Sequence, residues 1–531
     1  MKQAIARGLR MARHPAAAVA SGIFASRLVG LLRVRAFSYY FGLQSDAADA
    51  FNAAFRIPNL LQNLFGEGAL SASFIPVYAM LVAKGKAVEA DRVAGAVASV
   101  MSLALGLIVL VGVVAAPSMI GLIAPGFAGD KRDLTIQIVR VLFPGAAMFV
   151  LSAWCLGVLN SHHRFLLSYA APVMWNALMI ATLVWFGGHT SLPRLAVYLA
   201  WGSVAGSALQ VAVQLPSVLR VAPDLRFAFD VTSEYVKAVA HNFVPVLISR
   251  GVVQVSAYID VMLASLLPTG AVTGITNAQI LYTLPISLFG VSVSAAELPA
   301  MSGAIEVEAS GTEAVRQRLN AGLRQIAFFV VPSAMAFLVL GDVVSALLLQ
   351  TGRFTHADAI YVWGILAGSA VGLLASTLGR LYASTYYAMR DTRTPLRYAL
   401  VRVVLTTVLG YLCAIPLPRL LGIAPEWGAA GLTVSAGISG WVEMLLLRRV
   451  LNARIGQTGL STDYMIKLWT ASASAAAMAW AAKLAVAPAH PIAAGVLVLA
   501  PYGVVFFGVA LLLRIPEAFD VFGRAFRLRA G

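Results

Sequence analysis

Arg27, Arg33 and Arg35 fall in the first long apolar stretch of the chain, and the second stretch carries Asp49, Asn52, Arg56, Asn59, Asn63 and Glu67. The spacings 3, 4, 3, 4 and 4 put those six on one face of a helix. An arginine at the centre of a bilayer costs about 2.5–3.5 kcal/mol, so such groups persist where they meet water, a ligand or each other. Guanidinium groups bind phosphate through paired N–H donors and stay charged at every pH a cell offers. The chemistry that fits is recognition of a phosphate-bearing lipid in a wet, basic interior. Structural readings compete: Arg33 and Arg35 can snorkel to a headgroup interface, and Asp49 can neutralise Arg56 seven residues on. Further along, Arg250, Gln254, Asp260 and Glu297 are polar groups in apolar spans, and Arg380 and Arg402 add cations towards the C-terminus. The carboxylates Asp260 and Glu297 are of the kind that serves as an ion or coupling site.

The elements that must position these groups are membrane helices. The 531-residue chain is 60% hydrophobic and 12% charged, with a mean hydropathy of +0.83. That composition belongs to an integral membrane protein. Fourteen stretches are long enough to span a bilayer: 16–42, 47–83, 93–125, 134–160, 165–187, 194–219, 236–267, 272–303, 316–350, 357–388, 395–419, 427–450, 463–486 and 491–514. Alternating loops share the basic residues unequally, 25 against six, with the other eight of the 39 inside spans. By the positive-inside rule both termini are then cytoplasmic. The net charge of +16 has its explanation there and does not call for nucleic acid. Cys155 and Cys413 lie in separate apolar spans and read as packing residues. The basic start, Lys2 to Arg13, precedes an arginine-bearing span too long for the h-region of a cleavable signal.

The chain resembles itself at an offset of 223–227 residues. Ser26-Arg27 recurs as Ser249-Arg250, Leu64-Phe65-Gly66 as Leu288-Phe289-Gly290, Pro58 as Pro285 and Pro76 as Pro299. Six spans separate the matched segments, and an even number preserves their direction. The expected fold is an all-α integral membrane protein with two parallel six-helix lobes around a central cavity. Residues 1–222 form the first lobe and 223–455 the second, while 456–531 add two helices and a basic tail. Repeats of this kind place substrate at their interface and work by rocking.

No phosphate-binding loop, H-E-x-x-H or G-x-S-x-G appears, so an ATPase or hydrolase has no residues to carry it. The expectation is a transporter and not an enzyme, without a cofactor, driven by a monovalent cation gradient or the membrane potential.

The block R-I-P-N-L-L-Q-N-L-F-G-E-G-A-L-S-A-S-F-I-P-V-Y (56–78), with S-R-L-V-G-L-L-R (26–33) before it, resembles the MurJ (MviN) lipid II flippases. L-P-I-S-L-F-G-V-S-V-S-A-A-E-L-P (284–299) and Y-A-M-R-D-T-R-T-P (387–395) extend the resemblance over essentially the whole chain. It implies membership of the multidrug/oligosaccharidyl-lipid/polysaccharide exporter superfamily, a V-shaped central cavity, and a groove at the last two spans for the undecaprenyl tail. It also implies translocation of lipid II, the peptidoglycan precursor, from the inner to the outer leaflet of the bacterial cytoplasmic membrane. The partners it implies are lipid II, membrane lipids and the cell-wall synthesis machinery. Arg27 and Arg33 match the family's first-span arginines, Asp49 its second-span aspartate and Arg380 a basic position of span ten. Asp260 matches a carboxylate that helps bind sodium in some members. The substrate-binding set is then Arg27, Arg33, Asp49, Asn52, Arg56, Glu67, Arg250, Arg380 and Arg402, with Asp260 and Glu297 for coupling. Val34, Gln62, Ile280 and Thr283 depart from charged residues usual in the family. Arg402 stands where sodium-binding members tend to carry Asn, with Thr406 near a second ligand. Arg402 is therefore expected to replace the cation and pair with Asp260. The alternatives are a carrier of another polyprenyl-linked glycan and a drug or cation exporter of the same superfamily, the latter favouring an acidic or aromatic cavity.

Overall fold

A computed structural model describes residues 15–230, 233–307, 311–485 and 490–527. Each of the fourteen expected stretches coincides with a helix or with a helix interrupted by a π-helical turn. Ten of them are long and apolar enough to cross a membrane among the described residues. The chain packs into two units, one up to Gly270 together with Thr351–Arg353, the other from Ala271 to Gln350 and from Phe354 onward. The repeat would divide the halves after residue 222. Helix Glu234–Ser265, a member of the second half by the repeat, packs within the first unit.

The first unit holds α1 (Pro15–Phe41), α2 (Asp46–Leu61), α3 (Ser71–Ala83), α4 (Ala87–Ile123), α5 (Gly129–Ser161), α6 (Phe165–Phe186), α7 (Leu192–Val221) and α8 (Glu234–Ser265). The start of α2 is fixed by Ser45, whose side chain accepts the Ala48 N–H at 3.2 Å. Between α2 and α3 the span continues as a π-helical turn, Gln62–Leu70, four residues beyond Pro58. A large apolar cluster packs Leu70, Phe74 and Tyr78 against Val93 and Val97 of α4 and Trp154 and Val158 of α5. In lipid, close packing and satisfied polar groups hold helices together, because burial gains little over contact with acyl chains.

The second unit holds α9 (Ala271–Pro285), α10 (Ser292–Val307), α11 (Gly311–Leu349), α12 (His356–Ala388), α13 (Arg393–Ala414), α14 (Pro416–Leu421), α15 (Gly428–Ile455), α16 (Thr462–Ala485), α17 (Pro491–Leu512) and α18 (Pro516–Arg527). Thr355 and Asp358 form a reciprocal cap at the start of α12: the Thr355 N–H donates to Asp358 at 2.8 Å and the Asp358 N–H to Thr355 at 3.2 Å. A second π-helical turn, Ile286–Val291, lies between α9 and α10. The two turns contain Leu64-Phe65-Gly66 and Leu288-Phe289-Gly290, the segments the repeat had matched. Such turns carry one residue more than the α-helical register and cluster at functional sites.

Candidate anion-binding site

Arg33 lies half-buried on α1 and is held by α6. Its Nε donates to Asn176 Oδ1 at 2.9 Å, and its guanidinium carbon stands 5.1 Å from the centre of the Trp175 ring. Both partners are fixed in turn. Asn176 Nδ2 donates to the Pro172 carbonyl at 3.0 Å, and Trp175 Nε1 to Ser203 Oγ on α7 at 3.0 Å. Trp175 stacks on Phe55 at 5.8 Å and meets Phe149 edge-on at 5.4 Å. Phe55 is the residue before Arg56, so one aromatic stack supports the helix turns that carry both arginines. Among the described residues, neither Nη of Arg33 has a hydrogen-bond partner. That leaves a fork of donors open, the geometry that binds two phosphate oxygens.

Arg56 is half-buried on α2. Tyr258 of α8 donates to its backbone carbonyl at 3.0 Å, and Asp260 is the carboxylate whose charge acts on it. The spacing had offered Asp49 for that role. Asp49 is instead buried at the start of the helix, accepting from Lys131 Nζ and from the Gly270 N–H, each at 2.9 Å. Lys131 also reaches Asp46 at 3.1 Å and lies 4.5 Å from the centre of the Phe127 ring. Asp49 therefore ties α2 to α5 and to the loop after α8. Asn52 is half-buried, whereas Asn59 and Asn63 are exposed. The stripe does not act as one surface: before the π turn begins it already runs from buried Asp49 through half-buried Asn52 and Arg56 to exposed Asn59. Arg27 is exposed on α1. The side chains of Glu67 and Arg250 lie outside the described residues.

In the second unit Arg402 of α13 pairs with Glu443 of α15 at 3.0 Å. Glu443 is thus the carboxylate that pairs with Arg402, where the sequence had suggested Asp260. Tyr387, one face and seven residues along α12 from the exposed Arg380, lies in the field of both Arg380 and Glu443. Glu297 of α10 stands 3.7 Å from Arg318 Nη1, and its Oε2 is buried without a hydrogen bond. Asn176, Trp175, Lys131 and Glu443 were missed in the sequence. Glu443 alone had a signal, a carboxylate inside an apolar span.

Ten helices long and apolar enough to cross a membrane, several of them carrying a guanidinium group, define a polytopic membrane protein, and the fold agrees with that class. The structure of a protein titled "Lipid II flippase MurJ, inward closed conformation" superposes with a TM-score of 0.76 at 20% identity, over 95% of this chain and 99% of that one. An inward-facing multidrug resistance transporter of the MATE family and MOP superfamily gives a TM-score of 0.64 at 17% identity, over 80% and 95%. The family model "Lipid II flippase MurJ" matches residues 37–507. A probable lipid II flippase MurJ of Rhizobium meliloti (strain 1021) is 30% identical over 475 residues, 88% of this chain and 86% of its own. The lipid II flippase MurJ of Burkholderia cenocepacia is 32% identical over 428 residues, 80% of each. The chain belongs to the MurJ family of lipid II flippases, transporters and not enzymes.

Proposed function

We propose that this chain carries lipid II from the cytoplasmic to the periplasmic leaflet of a bacterial cytoplasmic membrane, with Arg33 and Arg56 holding the pyrophosphate and Arg27 assisting at the entrance. The observation that carries this reading is Arg33. It is fixed by a neutral amide and an aromatic face, so its charge is not cancelled and its Nη donors stay available. Exposing such a site to one side and then the other moves a headgroup without breaking a bond. This reading gives the coupling of that cycle to a cation gradient or to the membrane potential to Asp260, whose charge acts on Arg56, and to Glu297, whose Oε2 is buried without a hydrogen bond. Complementation in cells depleted of their own lipid II flippase tests the reading. The wild type restores growth, Arg33→Ala at equal membrane abundance does not, and Arg33→Lys restores it in part. Full rescue by Arg33→Ala would remove Arg33 from the site.

A further inference from the structure

Eight basic residues lie within spans, and Arg140 is one that the site above does not use. It sits on α5 with Asp133 and Gln137 at i, i+4 and i+7, all three exposed on one face. They line a cavity of about 430 Å³ with Ile136, Pro144 and the exposed Trp201 of α7. Beside them α4 turns Leu107, Leu110, Val111 and Val114 outward, the side chains of a bilayer-facing surface. A polar stripe descending such a surface calls for an explanation.

Part of it is backbone chemistry. Arg140 Nε donates to the Val113 carbonyl at 3.3 Å. Val113 is four residues before Pro117, so proline has removed that carbonyl's helical donor. This contact fixes the guanidinium plane and leaves both Nη groups without a partner among the described residues. Depth follows from helix geometry. Arg140 is eleven residues into α5, about 16 Å from its start, in a helix about 50 Å long crossing a core of about 30 Å. For a helix centred on that core, Arg140 lies about 6 Å inside the hydrocarbon edge, within snorkelling reach of headgroups. α7 runs parallel to α5, with one crossing between them, and Trp201 is nine residues into it. An exposed tryptophan at that level marks the membrane interface.

We infer that this cavity binds the phosphodiester of an anionic membrane lipid, in the leaflet on the side where α5 and α7 begin. The Nη groups of Arg140 take the phosphate oxygens, Gln137 and Trp201 face the headgroup, and the acyl chains lie along α4. Asp133 makes the stripe neutral overall, which favours a singly charged phosphodiester over a pyrophosphate or a free phosphate ion.

Native mass spectrometry of the full-length protein, equilibrated with equal amounts of phosphatidylglycerol and phosphatidylcholine, tests this. The wild type retains phosphatidylglycerol preferentially, and millimolar inorganic phosphate does not displace it. Arg140→Gln can still donate to Val113, yet it loses the charge and about tenfold in that preference. Arg140→Lys keeps most of it. An unchanged preference in a folded Arg140→Gln, or displacement by inorganic phosphate, overturns the proposal. Should Arg140→Gln fail to fold, Asp133→Asn decides: it leaves every Arg140 contact in place and strengthens phosphatidylglycerol retention, and no change in retention counts against the site.

Discussion

Arg33 and Arg402 are both intramembrane arginines, and they are satisfied in opposite ways. Arg402 is neutralised by Glu443 at 3.0 Å, whereas Arg33 is held by an amide and an indole that leave its positive field in place. A ligand anion gains more from the second arrangement, since it need not displace a carboxylate. The residue types were legible in the sequence because charge in an apolar run is conspicuous. Their partners were not, since Asn176 lies 143 positions from Arg33 and nothing local announces the contact. Outside the spans, Asp391 shows how strongly a turn can hold a carboxylate. It accepts from Thr394 Oγ1 at 2.7 Å, from the Thr394 N–H at 3.0 Å and from Arg454 at 2.8 Å. The Thr394 hydrogen bonds foremost, with Arg454 adding to them, pull its carboxyl down to about 2. Because the folded value lies below the ordinary 3.8, this stabilisation is complete above that value and disappears as pH falls through about 2. Thermal unfolding between pH 5 and 2 is expected to show Asp391→Asn less stable by up to about 1 kcal/mol at pH 5, with the difference closing towards pH 2. A difference that stays constant across that range would trace the effect to something other than the carboxylate.

At the scale of elements, α12 packs through Gly364, Gly368 and Gly372, four residues apart, the first against Trp427 and the other two against α15. A Cβ at Gly372 would fall 2.3 Å from the Gly437 Cα, and one at Gly368 would fall 2.7 Å from the Ala430 carbonyl. Backbones that close make room for Trp441 Nε1 to donate to the Val371 carbonyl at 2.8 Å and for Thr433 to donate to that of Ile365 at 2.8 Å. Small residues at this spacing are the usual means of close helix approach in lipid. Gly372→Ala is expected to cost about 1–3 kcal/mol through overpacking. Gly379→Ala, whose Cβ would meet only the Met444 side chain at 3.6 Å, should be nearly neutral. Thermal stability of the two purified variants checks this, and equal losses would refute that packing. The spans themselves were legible to within a few residues because apolar length is a strong signal. The π turn after Gln62 was not, so the polar stripe was drawn through a register shift that no residue type marks.

For the whole molecule, the unequal loops predict an orientation that labelling can read. In a Cys155→Ser, Cys413→Ser background, a membrane-impermeant thiol reagent on intact cells is expected to label His189→Cys. Gln457→Cys should label only after permeabilisation. Both positions are exposed in loops; the reverse pattern would invert the topology. The family was legible from the block at residues 56–78, while the packing division after Gly270 was not, because a repeat records descent and contacts record assembly. The paired π turns fall on the segments that the repeat matches. An extra residue in a helix is awkward to acquire and easy to lose, and here it occupies the same matched position, around Phe65-Gly66 and Phe289-Gly290, in both halves. Inheritance accounts for this with one event where independent origin needs two. A duplication would have copied the turn into both halves at once, making it older than the two-part protein that contains it.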